Sequence, residues 1–192
     1  MLPMPRDRLI KGTIELIAAN GVAGTGISEL ILRSAVSRRT LYVNFPGGKS
    51  ELVTDATKSA GRSMTDVLIG MVSDAPVQAA LPAFGSWWAE TLRESAFSRG
   101  CPIVAAALGR SGAPAAAEAA RTTFAGWVEV LQARLEMDGV NRIESRGLAV
   151  TIVAAVEGAV VLCLAEESVE PLDQAIAQMT RLVALLSGPD SA

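Results

Sequence analysis

The residues best suited to recognition chemistry sit close together in Ser37-Arg38-Arg39-Thr40-Leu41-Tyr42-Val43-Asn44, with Lys49 five positions further on. A guanidinium takes both guanine acceptors or a phosphate, Thr and Tyr hydroxyls suit phosphates or lie against a thymine methyl, and an Asn amide matches adenine. This is chemistry for holding an anion and reading base edges. Bond-making chemistry has far less to work with. The chain has no His, and its two cysteines, Cys101 and Cys163, stand 62 positions apart. A Ser/His/Asp triad, a His-ligated zinc or haem and a CxxC redox pair are therefore excluded. Past Lys49 the only Lys is Lys58, so we expect no enzyme, no metal and no cofactor.

The charge is divided in the same sense. Residues 1–50 hold seven basic and three acidic side chains, whereas the remainder holds ten basic and seventeen acidic ones, turning an overall net charge of −3 into a head of +4 and a body of −7. A basic head on an acidic body suggests that the head alone meets a polyanion.

The elements that must position these groups read as helices. The 192 residues include 32 Ala and only 4% aromatics, a bias toward helix and away from strand, so the fold class is all-α. In the head, Leu9, Ile10, Thr13, Ile14, Leu16 and Ile17 recur at helical spacing until Asn20-Gly21 stops them. A second helix is expected from a Thr25 cap to Ser34-Ala35, with Ile27, Leu30 and Ile31 inward. Ser37 is placed to cap a third helix over Arg38–Asn44, ended by Pro46-Gly47-Gly48. Two short helices, a turn at Ser34-Ala35-Val36 and a polar, basic outer face make a helix-turn-helix. Its core is expected from Ile27, Leu30, Ile31, Val36, Leu41 and Phe45. That leaves Arg38, Arg39, Thr40, Tyr42 and Asn44 for the outer face and its flanks, and the cap residues Thr25 and Ser37 join them as candidate DNA contacts.

The body reads as long helices over about 49–71, 76–97, 114–137, 141–166 and 171–187, with a short apolar stretch at 101–108. Pro82 inside the second of these predicts a kink or a later start. Six of the eight aromatic residues, Phe84, Trp87, Trp88, Phe97, Phe124 and Trp127, fall in the middle body. With Met71, Val104, Leu108, Val128 and Leu131 they are the candidate lining of an apolar ligand pocket, core packing being the alternative. Glu157 is the only charged side chain between Gly147 and Ala165. It is a candidate ligand contact, a dimer-interface group or the partner of an Arg.

In the last helix Leu172, Ile176, Met179, Val183 and Leu186 step by four and three, a heptad seam. Its neighbour is apolar on nearly every face and needs cover on nearly every face. A second copy of the pair would supply it through a four-helix interface, with the small residues Ala154, Ala155, Gly158 and Ala159 allowing close approach and Leu162 also placed at the interface. We expect a homodimer. A mid-span Glu157 and the lack of an aromatic belt argue against a membrane span at 147–165. Two unpaired cysteines and the start Met1–Arg8, which lacks a signal-like apolar core, point to the cytoplasm.

The nine residues Ser37–Phe45, preceded by a first helix ending in Asn-Gly, resemble the TetR family of bacterial transcriptional repressors. Phe45-Pro46-Gly47-Gly48-Lys49, with Gly100-Cys101-Pro102 downstream, resembles a subgroup that controls drug-resistance and efflux genes. The resemblance is specific over about residues 8–53. It implies that Arg38, Arg39, Thr40 and Tyr42 touch DNA, that Lys49 and the start of the fourth helix meet a phosphate, and that residues 1–48 bind DNA. Residues 49–192 would bind a small-molecule effector and the partner copy, so that a palindromic double-stranded operator is released when effector binds. One departure stands out: Ala35 occupies the turn position where the family usually has Gly, at a cost of about 1 kcal/mol for a left-handed backbone. The rival reading is a helical small-molecule carrier or adaptor that no longer binds DNA.

Overall fold

The computed structural model describes residues 4–187, so residues 1–3 and 188–192 lie outside it. Among the described residues there are nine helices and no strand: α1 (Pro5–Gly24), α2 (Ile27–Ser34), α3 (Arg38–Asn44), α4 (Gly48–Ser73), α5 (Val77–Glu94), α6 (Pro102–Leu108), α7 (Pro114–Met137), α8 (Arg142–Glu166) and α9 (Glu170–Leu186). The protein is all-α.

Two compact units share these helices. The first contains the described residues up to Ser63 together with Cys101–Thr123, and the second contains Met64–Gly100 and the described residues from Phe124 onward. α4 and α7 each contribute one end to the first unit and the other end to the second.

In the first unit, Leu9, Leu16, Leu30, Leu41, Phe45 and Leu52 form a buried cluster, flanked by partly buried Ile10, Ile27, Ile31 and Val36. The expected helix-turn-helix core is thus assembled, with α1 and the start of α4 adding to it. α1 loses helical geometry at Gly21, whose φ of 69° and ψ of 173° suit only a residue without Cβ. The apolar stretch after Cys101 is itself a helix, begun by Pro102 at its first position, where a missing N–H costs nothing.

In the second unit α9 packs on both α5 and α8. A polar knot fixes three helix ends. The Asp138 carboxylate accepts from the Val77 backbone N–H at 2.7 Å, covering the start of α5, and from Arg134 Nε at 2.8 Å. Arg134 in turn donates to the Val72 carbonyl at the end of α4, at 2.9 Å. Pro82 does not start α5: the helix begins at Val77 and carries Pro82 on its exposed side. The carbonyl that loses its amide partner there belongs to exposed Gln78 and can be hydrated.

The heptad seam of α9 needs correction. Leu172 and Val183 are fully buried and Ile176 nearly so within the single chain. Ile176 lies against Gly85 of α5, where an added Cβ would stand 2.8 Å from its Cγ1. These three side chains are core of the single chain, because α5 and α8 already pack on α9. Met179 and Leu186 are half-buried. α8 shows the opposite pattern: Val150, Val161 and Leu162 are about half exposed, and Ala154 and Gly158 are exposed between them. Ala155 is half-buried. By length and composition α8 is the one described helix that could cross a membrane.

Candidate nucleic-acid interface and ligand cavity

The α2–α3 connection begins with Ala35 at φ 50° and ψ 49°. The Ala35 and Val36 amides donate back to Leu32 and Ile31 at 3.2 Å each, closing the end of α2. The Ala35 carbonyl accepts from Arg8 of α1 at 3.1 Å. The strain at this Ala is held in place by local hydrogen bonds and by an arginine from the first helix. Ser37 then caps α3, its Oγ accepting the Thr40 amide at 3.0 Å and pairing with the Thr40 hydroxyl at 2.8 Å.

Between these anchors α3 turns Leu41 inward and leaves Arg38, Arg39, Tyr42 and Val43 exposed. Elsewhere in the head, Arg6 pairs with Asp55 and Arg33 with Glu15, and Arg8 donates to a backbone carbonyl. Among the described residues Arg38 and Arg39 make no ion pair. Two solvated guanidiniums with no acid beside them, on a helix braced by a cap and a core leucine, suit the phosphates and guanine edges of DNA.

The other expected contacts are placed less simply. Tyr42 is 42% exposed, with its ring over Gly48 at the start of α4. Lys49 is half-buried in the first turn of α4. The Glu51 carboxylate already accepts the Gly47 amide at 2.7 Å, so one donor at this helix start is occupied. Asn44 is half-buried and donates to the Thr40 carbonyl at 2.8 Å, which turns its amide back along its own helix. Thr25 needs correction twice. It is fully buried and its hydroxyl donates to the Gly21 carbonyl at 2.8 Å, so it braces the end of α1 and is not presented to a groove. The residue capping α2 is Gly26. Val43, outside the expected set, is 71% exposed in the last turn of α3, four residues after Arg39 and so on the same side of the helix.

The second unit holds a narrow cavity of about 40 Å³ among α4, α5, α7 and α8, open to solvent at its mouth. Of the expected residues, Met71, Phe84, Trp127, Leu131 and Glu157 line it. Its other walls are aliphatic, drawn from Met64, Leu68, Val72, Val77, Leu81, Ile152, Val153 and Val156, with Ala80 between. Trp127 is held by an indole N–H bond to Thr65 Oγ1 at 2.9 Å and by an edge-on Phe124 at 5.2 Å. Glu157 is the one ionisable side chain on an otherwise apolar wall.

The remaining pocket candidates are elsewhere, for identifiable reasons. Trp88 is core at 2% exposure, and half-buried Trp87 stacks on Phe84 at 5.7 Å, behind the lining. Phe124 and Val128 are half-buried on α7 and lie outside the lining. Phe97 is past the end of α5, in a left-handed turn at φ 54° closed by its amide on Leu92. Val104 and Leu108 belong to α6 in the first unit, and Leu108 is 82% exposed.

Comparison with known proteins agrees with this layout. Residues 9–56 match the family described as bacterial regulatory proteins, tetR family. Residues 76–178, more than half of the chain, match the C-terminal domain described as transcriptional regulator LmrA/YxaF-like. An uncharacterized HTH-type transcriptional regulator of Mycobacterium tuberculosis, Rv0196, is 28% identical over 93% of this chain and 94% of its own length. The HTH-type transcriptional regulator LmrA of Bacillus subtilis is 24% identical over 87% of this chain and 90% of its own. Among solved structures, the regulatory protein TetR from Rhodobacter sphaeroides superposes with a TM-score of 0.84 at 16% identity, covering 93% of this chain and 98% of that one. The TetR transcriptional regulator from Legionella pneumophila does so at 0.84 and 17%, covering 94% and 98%. With a helix-turn-helix head and an LmrA/YxaF-like body, the chain belongs to the TetR family of bacterial transcriptional regulators.

Proposed function

We propose that the protein is a ligand-responsive repressor that binds a palindromic operator as a homodimer and is released by a small, largely apolar effector. Residues 1–48 bind DNA and residues 49–192 bind effector and partner. The observation that carries this reading is the pairing of Arg38 and Arg39, exposed and without an ion-pair partner on α3, with an apolar cavity in the same chain. Two recognition helices about 34–36 Å apart, one turn of DNA, read the two half-sites. The partner copy docks on the face of α8 around Ala154, Gly158 and Leu162, which a single chain leaves uncovered. This gives the apolar side of α8 a protein partner, not a bilayer, and the protein works in the cytoplasm.

Release follows from differential affinity. An effector that prefers the form with its two heads spread draws the population toward that form, and the ratio of its two affinities sets the loss of operator binding. Met64 and Met71 on the cavity wall can adjust to ligand shape. The apolar lining, with one carboxylate, suits a mostly hydrophobic molecule, as expected if the regulated gene encodes efflux or drug resistance. No catalytic step is assigned to any residue.

Selection from a random DNA pool tests the reading. We expect an inverted repeat with half-site centres about one helical turn apart, and weaker recovery of it when a library of hydrophobic compounds is present. Enrichment of no sequence over several rounds would refute operator reading. An operator whose binding no compound weakens would remove the effector half alone.

A further inference from the structure

The recognition face of α3 is short of groups that can read a thymine. The Thr40 hydroxyl is paired with Ser37, and Asn44, whose amide would match adenine, donates to the Thr40 carbonyl. Arg38 and Arg39 favour guanine or phosphate, and Tyr42 leans over Gly48. What is left is Val43. Its side chain is 71% exposed, one helical turn beyond Arg39 and on the same stripe of α3.

Single exposed apolar residues are common on protein surfaces. Val43 differs in being the aliphatic side chain on a face otherwise built of two guanidiniums and a phenol, within a seven-residue helix fixed at both ends. Leu32, the other strongly exposed aliphatic of the motif, lies on α2 and outside the recognition helix. In the major groove the C5-methyl of thymine is the apolar group that distinguishes A·T from G·C, and it is read by apolar contact.

We propose that Val43 packs its methyls on the C5-methyl of one thymine in each half-site and so sets pyrimidine identity at that position. This rests on α3 being the DNA-reading helix. The side chain is β-branched, so its two methyls are presented in one dominant rotamer on a helix. The contact loses little conformational freedom on forming.

The test replaces each thymine of the selected operator, one at a time, with deoxyuridine, which removes only the methyl. Affinity is measured by anisotropy for the wild-type protein and for Val43→Ala. Burying one methyl corresponds to about a fourfold change in affinity, so symmetric replacement in both half-sites is expected to weaken the wild type about 16-fold. Val43→Ala is expected to bind the thymine and deoxyuridine operators equally at that position. As the side chain is exposed and Ala favours helix, this variant keeps its fold, checked by its melting temperature. Wild-type affinity within twofold for every deoxyuridine operator would overturn the proposal. So would a methyl-sensitive position that stays equally sensitive in Val43→Ala. In both cases specific binding itself survives, which separates this failure from failure of the DNA-reading function, where no operator is bound at all and Val43 has nothing to read.

Discussion

Replacing Ala35 with Gly tests how the helix-turn-helix is held. Ala35 sits at φ 50° and ψ 49°, where its Cβ crowds the backbone at a cost of about 1–2 kcal/mol. Glycine removes that cost but gives the unfolded chain about 0.4–1 kcal/mol more conformational freedom. The side chain is exposed, so no packing is lost, and the net gain is about 0.5–1 kcal/mol. For a chain of this size that raises the melting temperature by about 1–4 °C. Melting must be followed at one fixed protein concentration, since association shifts the apparent midpoint. Operator affinity should stay within about twofold, because the bonds setting the turn use backbone atoms that glycine retains. Ala35→Val, β-branched in the same conformation, should instead melt several degrees lower. A glycine variant that is less stable than wild type, or a valine variant that is unchanged, would refute the left-handed turn.

Three other outcomes follow from the packing. Gly85→Ala would press a methyl to 2.8 Å from Ile176 Cγ1 and should cost about 1–3 kcal/mol, whereas Gly126→Ala meets nothing within 4 Å inside α7 and should gain about 0.5–1 kcal/mol; urea titration compares the two. Both cysteines are buried, and burial pushes the Cys163 thiol up from its ordinary value. The native protein should therefore react with a disulfide reagent at pH 8 only as fast as it unfolds, with two thiols appearing at once in urea. As the native state holds this proton more tightly, the associated stability is intact below the unfolded thiol value of about 8.5 and declines as pH rises through the folded value; native reaction at the urea rate would contradict the burial. Gly158→Glu on the exposed face of α8 should leave helicity unchanged and halve the mass seen by light scattering, and an unchanged mass would move the partner face elsewhere.

Much of the local structure was legible in the sequence, because local signals determine it. The bounds of α3 follow from the Ser37 cap and the Pro46-Gly47-Gly48 stop, and those of α7 from Pro114 and Asp138-Gly139. What covers a face was harder to read. The heptad of α9 announced a buried stripe, but periodicity does not say whether the covering helices are α5 and α8 of the same chain or those of a second copy. Adjacent Trp87 and Trp88 likewise needed two different neighbours, and only the packed helices show that one goes to the core and the other onto Phe84. Thr25 was misread because a hydroxyl before a helix can cap forward or bond backward, and here it bonds back to Gly21.

The measurement nearest the central claim is fluorescence anisotropy on the selected operator with excess competitor DNA, comparing wild type with the Arg38→Ala, Arg39→Ala double variant. The account predicts that wild type saturates at two chains per site and survives competitor. The double variant, folded and of unchanged mass, should lose at least a hundredfold in affinity and show a shallower dependence on salt. Equal binding by the two proteins, with equal salt dependence, would contradict the assignment of α3 as the DNA-reading helix.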